Sequence, residues 1–277
     1  APALAGILYP LIGLKGIWPI NLATFAISIT IITLLKIPQP PSEDIPLGQT
    51  TRSIATVWKE LTFGFRYLLG SPRLRALLIV TTLFWATLQF TNLIYDPMIL
   101  ARTNGSAETL AAVSSMAGIG GVTSAILVSV WGGPKRRVSG LLAGFMGVGL
   151  AKTVFGLGQN LSVWLPAQFF SSMSFPLIES SEMALWMLAT PAAVQGRVFA
   201  AHFLTYELVT TPIAFIAGPL SDRILDPAMQ SSRLMQTVFG QLVGTGPGSG
   251  MALLFAGSAI ITILIGACTW QWSTLRR

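Results

Sequence analysis

The sequence predicts an all-α membrane protein with about eight transmembrane helices and little soluble structure. Hydrophobic residues make up 52% of the 277 residues and charged residues only 10%, whereas about a quarter of a soluble domain is charged. Apolar runs that approach the ~20 residues needed to cross a bilayer recur along the chain, and the basic residues lie mainly between them. Because a chain this apolar cannot hide its surface from water, lipid must surround most of it.

The first 35 residues contain two apolar runs, so we expect residues 1–35 to form two helices. Ala1–Leu14 is a partial span, and Ile17–Leu35 is a complete and uncharged one. The chain starts inside an apolar run and without Met, so we expect residues upstream of it to be missing.

A change of composition marks residues 36–75 as a linker. Its first part holds prolines at positions 38, 40, 41 and 46 among charged residues. Its second part, Ser53–Leu69, has apolar side chains at helical spacing with Lys59 and Arg66 between them, which predicts an amphipathic helix. An interfacial connector is the favoured interpretation of this helix, and a partner-binding helix is the alternative.

Residues 76–277 contain six further apolar runs and are predicted to form a six-helix bundle. The runs are Ala76–Asp96, Thr109–Trp131, Val138–Gly158, Leu161–Leu188, Val198–Pro219 and Met251–Trp272. The long joint Ser221–Gly250 is expected to be a loop, and it ends in a glycine-rich segment from Gly244 to Gly250. That segment lacks the Gly-Lys-Ser/Thr ending of a phosphate-binding loop, so it predicts a turn and not a nucleotide site.

The distribution of basic residues predicts the orientation of these spans. If the eight spans alternate in direction, twelve of the 17 Lys and Arg residues fall on one side, four fall on the other, and Lys152 lies within a span. Cytoplasmic joints carry the excess of Lys and Arg, so the linker and the C-terminus are predicted to be cytoplasmic. The sequence pI of about 10.1 therefore reflects membrane topology, and we expect no nucleic-acid partner.

Two of the predicted spans carry stripes of polar and aromatic residues. In the third span, Thr82, Trp85, Gln89, Asn92 and Asp96 fall within a sector of roughly 80° on a helix. In the sixth span the stripe covers roughly 100° and consists of Trp164, Gln168, Ser171, Ser172, Phe175, Glu179, Glu182 and Trp186. Lipid-facing surfaces do not carry such stripes, so they predict either a cavity for large amphiphilic ligands or hydrogen bonds between helices.

Ionisable residues within the spans are candidates for proton exchange. A carboxylate in mid-membrane costs at least about 2.5 kcal/mol, so it normally faces a partner or water. Glu179 and Glu207 are placed near mid-depth and Glu182 nearer the cytoplasmic end; each is a candidate for proton coupling or substrate binding, with a buried structural role as the alternative. His202 is expected to be a hydrogen-bonded or snorkelling imidazole more than a proton relay. For Lys152 the sequence suggests no partner.

The residues that carry chemistry in enzymes are scarce. One cysteine, Cys268, and one histidine are present, and no His/Glu spacing suggests a metal site. We therefore expect no metal, no cofactor and no enzymatic activity.

Several segments together resemble the major facilitator superfamily of transporters, in its bacterial macrolide-efflux-type branch of drug:proton antiporters. The segments are Phe63-Gly-Phe-Arg-Tyr-Leu-Leu-Gly-Ser-Pro-Arg-Leu-Arg, Trp131-Gly-Gly-Pro-Lys-Arg-Arg, Gln195-Gly-Arg-Val-Phe-Ala, Ala217-Gly-Pro-Leu-Ser-Asp-Arg and Gly244-Thr-Gly-Pro-Gly-Ser-Gly-Met-Ala-Leu. The resemblance implies twelve helices in two bundles, of which this chain would hold helices five to twelve. Residues 1–35 would then be the last two helices of the N-terminal bundle, and residues 76–277 the C-terminal bundle.

The resemblance also implies a function and a set of partners. It implies proton-coupled efflux of amphiphilic small molecules, of the macrolide, drug or secondary-metabolite type, across the bacterial cytoplasmic (inner) membrane. The stripe residues would line the substrate cavity, and Lys135, Arg136 and Arg137 would form a cytoplasmic gating loop that lacks the family's usual acidic residue. The expected partners are lipid, substrate, protons and a missing N-terminal half. The alternative is a membrane scaffold or split-gene remnant that transports nothing.

Overall fold

The computed structural model describes residues 2–35 and 54–270, and every element in these two ranges is helical. The chain divides into two compact units, one within residues 1–49 and the other within residues 50–277. An all-helical membrane protein, as the sequence predicts, is therefore confirmed for the described part of the chain.

In the first unit the described residues form one element, α1 (Pro2–Leu34), which is kinked. Gly13 has φ 60° and ψ −175°, a backbone conformation that breaks the helix and that glycine adopts without a steric penalty. The stretch Lys15–Leu34 is long and apolar enough to cross a membrane. Its side chains from Trp18 to Leu35 are all exposed, as in a helix whose surroundings are apolar on every side.

The described residues of the second unit, 54–270, form nine α-helices. They are α2 (Ile54–Gly70), α3 (Pro72–Arg102), α4 (Ala107–Trp131), α5 (Arg137–Leu157), α6 (Leu161–Ala189), α7 (Gln195–Pro219), α8 (Asp226–Ser231), α9 (Arg233–Val243) and α10 (Ser249–Trp270), with a 3₁₀ turn at Ala192–Val194 and a π-helical turn at Leu220–Leu225. Each of the six apolar runs predicted between residues 76 and 277 corresponds to one long helix among these. The predicted amphipathic helix corresponds to α2, whereas residues 36–53 of the predicted linker lie outside the described residues.

The prediction of a loop across Ser221–Gly250 is wrong for most of that segment. A π-helical turn, α8 and α9 occupy it as far as Val243, and only the glycine-rich part is a turn. Ser232 caps α9, since its hydroxyl accepts a hydrogen bond from the Met235 amide at 3.5 Å. The turn itself is confirmed, because Gly244 and Gly248 have φ of 80° and 76°, which favours glycine.

By length and composition, six segments of the described chain can cross a membrane, against about eight expected. They are Lys15–Leu34, Pro72–Arg102, Ala107–Trp131, Arg137–Leu157, Ala192–Ser231 and Ser249–Trp270. The helix α6 has 29 residues, which at 1.5 Å each span about 43 Å, but it is more polar and is not one of the six. It packs on both α4 and α5, and its polar residues Gln168, Ser171, Ser172, Ser181 and Glu182 are buried.

Close helix packing in the second unit uses small residues. Gly120 of α4 lies against the Phe169 carbonyl of α6, and Gly144 of α5 lies against Ile178 of α6, leaving no room for a Cβ atom. Farther around the bundle, α10 packs on both α5 and α3, and α7 packs on α3.

The amphipathic helix α2 is attached to this bundle through α7. Gly64 lies directly against the Arg197 carbonyl. Leu68 is fully buried and clusters with Val198 and Ala201 of α7. On its other side α2 leaves Trp58 66% exposed, the position expected of a ring at a membrane interface.

Two apolar cores hold the second unit together. The first core, near the start of α3, is centred on Phe84 and Phe145, whose rings stack with centroids 3.7 Å apart. The second core, near the end of α3, is centred on Phe155 and Trp164. The stripe predicted on α6 contributes Trp186 to the first core and Trp164 to the second core.

Candidate functional site

A cavity of about 440 Å³ lies between α3, α6 and α7, and we call it the aromatic cavity. Trp85 of α3 forms one wall. The second wall comes from α6, through Glu179, Glu182, Met183 and Trp186, and the third comes from α7, through Phe199, His202, Phe203 and Tyr206. Five aromatic rings, one imidazole and two carboxylates therefore face one space.

A hydrogen bond between helices orders this cavity. The Trp85 indole N–H donates to a carboxylate oxygen of Glu182 at 3.0 Å. Only 8% of Glu182 is exposed, so the carboxylate is nearly enclosed while still bordering the cavity. The Trp85 ring also meets Tyr206 edge-on, with centroids 6.5 Å apart, so this one side chain connects α3 to both α6 and α7.

The two acidic residues of the cavity come from one face of one helix. Glu179 and Glu182 are three residues apart, a spacing that puts both side chains on the same side of α6. Glu179 is exposed, whereas Glu182 is buried. The cavity thus has one carboxylate open to its surroundings and one held by an indole N–H.

The third wall is the part of the cavity that the sequence interpretation did not anticipate. On α7 only His202 and Glu207 were considered from the sequence. In the structure four residues of α7, at positions 199, 202, 203 and 206, line the cavity. Their spacing is that of one helix face, so the aromatic pattern Phe-x-x-His-Phe-x-x-Tyr was the available signal. The His202 ring packs against Trp186, with ring centroids 4.3 Å apart.

The structure brings together five of the predicted site residues. Trp85, Glu179, Glu182 and Trp186 line the aromatic cavity. Phe175 lies one turn away, with its ring centroid 6.2 Å from that of Trp85.

The outer part of the α3 stripe lies elsewhere. Gln89 is half-buried, and Asn92 and Asp96 are exposed, so none of the three borders the aromatic cavity. They continue the Trp85 face of α3 toward the end of that helix.

The prediction that Trp164 and Gln168 line a cavity does not agree with their positions. Trp164 is 1% exposed inside the second core, and its indole N–H donates to the Gly158 carbonyl at 3.0 Å. Gln168 is 8% exposed, and its side-chain oxygen has no hydrogen-bond partner among the described residues. Helical periodicity shows which residues share one side of α6, but not which residues of the neighbouring helices pack against that side. Beside Trp164 the neighbour is Phe155, with ring centroids 6.0 Å apart.

Glu207, the third predicted coupling residue, is not among the residues that line the cavity. It follows Tyr206 directly, so it points about 100° around the helix from it. Its carboxylate accepts a hydrogen bond from the Thr211 hydroxyl at 3.4 Å, and the residue is exposed.

Lys152 has aromatic partners that the sequence did not suggest. It is 4% exposed, and its ammonium lies 5.3 Å from the Phe255 ring centroid and 6.0 Å from that of Tyr95. Cation–π attraction therefore offsets part of the cost of burying this charge. Among the described residues no ion pair to Lys152 is found.

The basic residues predicted as a gating loop line a different space. Lys135, Arg136 and Arg137 border a second cavity of about 640 Å³, together with Arg73. We call it the basic cavity. In the part of the chain that the structure describes, no cluster of three or more His, Cys, Asp or Glu side chains suits a metal ion.

Fold and site together define a helical membrane protein with a mixed aromatic and acidic cavity among its helices. Comparison with known proteins adds a relationship. Over 230 residues the chain is 23% identical to macrolide efflux protein A of Streptococcus pyogenes, covering 81% of this chain and 54% of that protein. Over 202 residues it is 22% identical to macrolide efflux protein A of Enterococcus faecalis, covering 72% of this chain and 60% of that protein.

These matches support a relationship to macrolide efflux proteins, in agreement with the resemblance noted in the sequence and with a major facilitator-type helical bundle. The chain spans about half the length of the relatives it matches. No protein-family model matches the chain, and no solved structure is significantly similar to it.

Proposed function

We propose that this chain works in a secondary transporter that exports amphiphilic small molecules from the bacterial cytoplasm in exchange for protons. The observation that supports this proposal is the aromatic cavity. Ligand pockets typically have volumes of about 300–1,000 Å³, with apolar walls and a few polar groups that orient the ligand. At about 440 Å³ the aromatic cavity fits this description. The relatives that the chain matches are named as efflux proteins.

The pair of carboxylates supports an exchange of protons for substrate. A carboxylate enclosed in a low-dielectric site is costly when charged, so it favours either a proton or a cationic ligand nearby. Glu182 has the Trp85 indole N–H as its hydrogen-bond donor. Substrate that enters the cavity would contact both Trp85 and Glu182, which couples the occupancy of the cavity to the protonation of Glu182.

The test replaces Glu182 in cells that express the complete gene. Glu182→Gln keeps the shape of the side chain but cannot titrate, so it should remove most of the efflux of a macrolide antibiotic driven by a pH gradient. Expression and thermal stability should stay close to those of the wild type. Glu108→Gln, at an exposed position in the first turn of α4, is the matched control and should transport normally.

Efflux by Glu182→Gln at the wild-type rate, with unchanged pH dependence, would contradict a coupling role for Glu182. The same measurements on Glu179→Gln and Glu207→Gln would then locate the coupling group.

The alternative proposal is a scaffold that transports nothing, and it is tested with proteoliposomes that contain the full-length protein. Substrate flux driven by a pH gradient eliminates the scaffold, and its absence from correctly folded protein eliminates the transporter.

We further propose that the C-terminus and the basic cavity face the cytoplasm, on the basis of the unequal distribution of Lys and Arg. Single cysteines at two exposed positions test this, in a Cys268→Ser background. Lys135→Cys should be protected from a membrane-impermeant thiol reagent added to intact cells, and Arg233→Cys should react. The reverse pattern would invert the topology.

A further inference from the structure

The basic cavity lies where four helices end at the same side of the bundle. Its residues come from the starts of α3 and α5 and from the last turns of α6 and α10. Its volume of about 640 Å³ exceeds that of the aromatic cavity, and the two share no lining residue.

One side of the basic cavity suits a phosphate group. Arg73, Lys135, Arg136 and Arg137 contribute four positive charges, and none of the described residues that line the cavity is acidic. Arginine side chains bind phosphate oxygens through paired N–H groups, and lysine adds a compact charge. The guanidinium of Arg137 lies close to Gly133, whose φ of 77° bends the chain sharply just before α5.

The start of α5 adds to this anion-binding character. Arg136 occupies the N-cap position but makes no side-chain hydrogen bond to the helix, so the first amides of α5 have no side-chain cap. Such amides carry partial positive charge and attract anions.

The other side of the cavity is lined by apolar residues, two of which are exposed. Leu142 is buried, whereas Leu188 is 73% exposed and Trp270 is 44% exposed. Tryptophan at the end of a membrane helix is typical of the headgroup level of a bilayer. A site that joins a cluster of cations to an exposed apolar wall matches a molecule with an anionic head and hydrocarbon tails.

We propose that the basic cavity binds the phosphate headgroup of an anionic phospholipid, with an acyl chain along Leu188 and Trp270. Basic pockets between membrane helices bind such headgroups elsewhere, and each Lys or Arg near a membrane surface contributes about 1 kcal/mol, or about fivefold in affinity. The apolar wall distinguishes the lipid from free phosphate, since phosphate alone would leave it unoccupied. This proposal does not depend on transport.

The test measures lipid binding to the full-length protein purified in detergent, by native mass spectrometry and by thermal unfolding. Phosphatidylglycerol should bind and raise the unfolding temperature, whereas phosphatidylcholine and inorganic phosphate at the same concentrations should not. Arg136→Gln together with Arg137→Gln should weaken phosphatidylglycerol binding by about 25-fold, at about fivefold per charge. Arg223→Gln together with Arg233→Gln, exposed and distant in the fold, is the matched control and should bind as the wild type does.

Three results would overturn the proposal. They are equal stabilisation by phosphatidylcholine, equal stabilisation by inorganic phosphate, and unchanged phosphatidylglycerol binding by the Arg136 and Arg137 double variant. If circular dichroism shows that this double variant has lost its helices, the single variants Lys135→Gln and Arg73→Gln replace it. Each should weaken binding by about fivefold, and unchanged binding by both would contradict the proposal.

Discussion

The aromatic cavity and the second core each take a tryptophan from the α6 stripe, Trp186 and Trp164, yet one region is open and the other is closed. Near the start of α3, Trp85 meets Glu182 across a space of about 440 Å³. Near the end of α3, Tyr95, Phe155 and Trp164 stack in a continuous row, with successive ring centroids 5.4 and 6.0 Å apart. The difference lies in the third wall, which is α7 at the cavity and α5 with α10 at the core.

Each region holds one ionisable side chain that is nearly enclosed. Comparing the two shows that a buried charged group is not always accessible to a ligand. Glu182 is 8% exposed and Lys152 is 4% exposed. The carboxylate borders a cavity and has a hydrogen-bond donor, whereas the ammonium meets the faces of Phe255 and Tyr95. Only the first arrangement allows a charge to meet a ligand or exchange a proton, so burial alone does not identify a coupling residue.

The largest expected effect is that of Trp164→Ala. Emptying a fully packed aromatic position costs about 3–5 kcal/mol, and Gly158 would also lose the indole N–H. Thermal unfolding in detergent should show a large loss of stability. Phe203→Ala, at a cavity position that is 59% exposed, should change stability by less than about 0.5 kcal/mol while impairing efflux. Equal losses of stability in the two variants would remove the distinction between open and closed regions.

The helices of the second unit were predictable from sequence because long apolar runs and their polar ends follow directly from the bilayer as solvent. Part of the faces of α3 and α6 was predictable too, from a period of 3.6 residues, since Trp85, Glu182 and Trp186 line one cavity. The burial of Trp164, at the start of the α6 stripe, was not predictable from the sequence. It depends on Phe155 and Phe255, which come from other helices and belong to the same core. The wall contributed by α7 was missed apart from His202, since Phe199, Phe203 and Tyr206 carry no signal of chemistry by themselves and only their helical spacing could have indicated it.

The second prediction concerns the packing of α4 on α6 between the two regions. Gly120 lies against the Phe169 carbonyl, which is between Trp164 and Glu182 along α6. Gly120→Ala should therefore displace α6 and cost about 1–3 kcal/mol, with both stability and efflux reduced. Gly118→Ala in the same helix has open space around it and should be neutral or slightly stabilising. Matching effects of the two substitutions would contradict the close approach of α4 and α6.

The third prediction uses Lys152→Met to examine the closed region. Methionine fills a similar volume and removes the charge, so about 2 kcal/mol of cation–π attraction is lost. The cost of burying an ammonium, several kcal/mol, is removed as well. The removed cost of burial is larger than the lost cation–π attraction. The free energy of unfolding should therefore rise by about 1 kcal/mol, and efflux should be retained. Lys15→Met, at an exposed position outside both cavities, is the control for stability. A marked loss of stability in Lys152→Met would mean that the ammonium contributes more through its aromatic neighbours than burial costs.

The smallest effect is expected for His202→Phe, in the open region. The imidazole packs against Trp186 at 4.3 Å between ring centroids, and phenylalanine preserves a ring there without a titratable group. Efflux should keep the same pH dependence, because we propose Glu182 as the coupling residue, and the efflux rate should change by about twofold at most. His202→Ala should lose more, since a ring pair contributes about 0.5–1.5 kcal/mol. The measurement is efflux across a series of external pH values for both variants. A shifted pH midpoint in His202→Phe, with stability intact, would make His202 a proton carrier and place a second titrating group in the aromatic cavity.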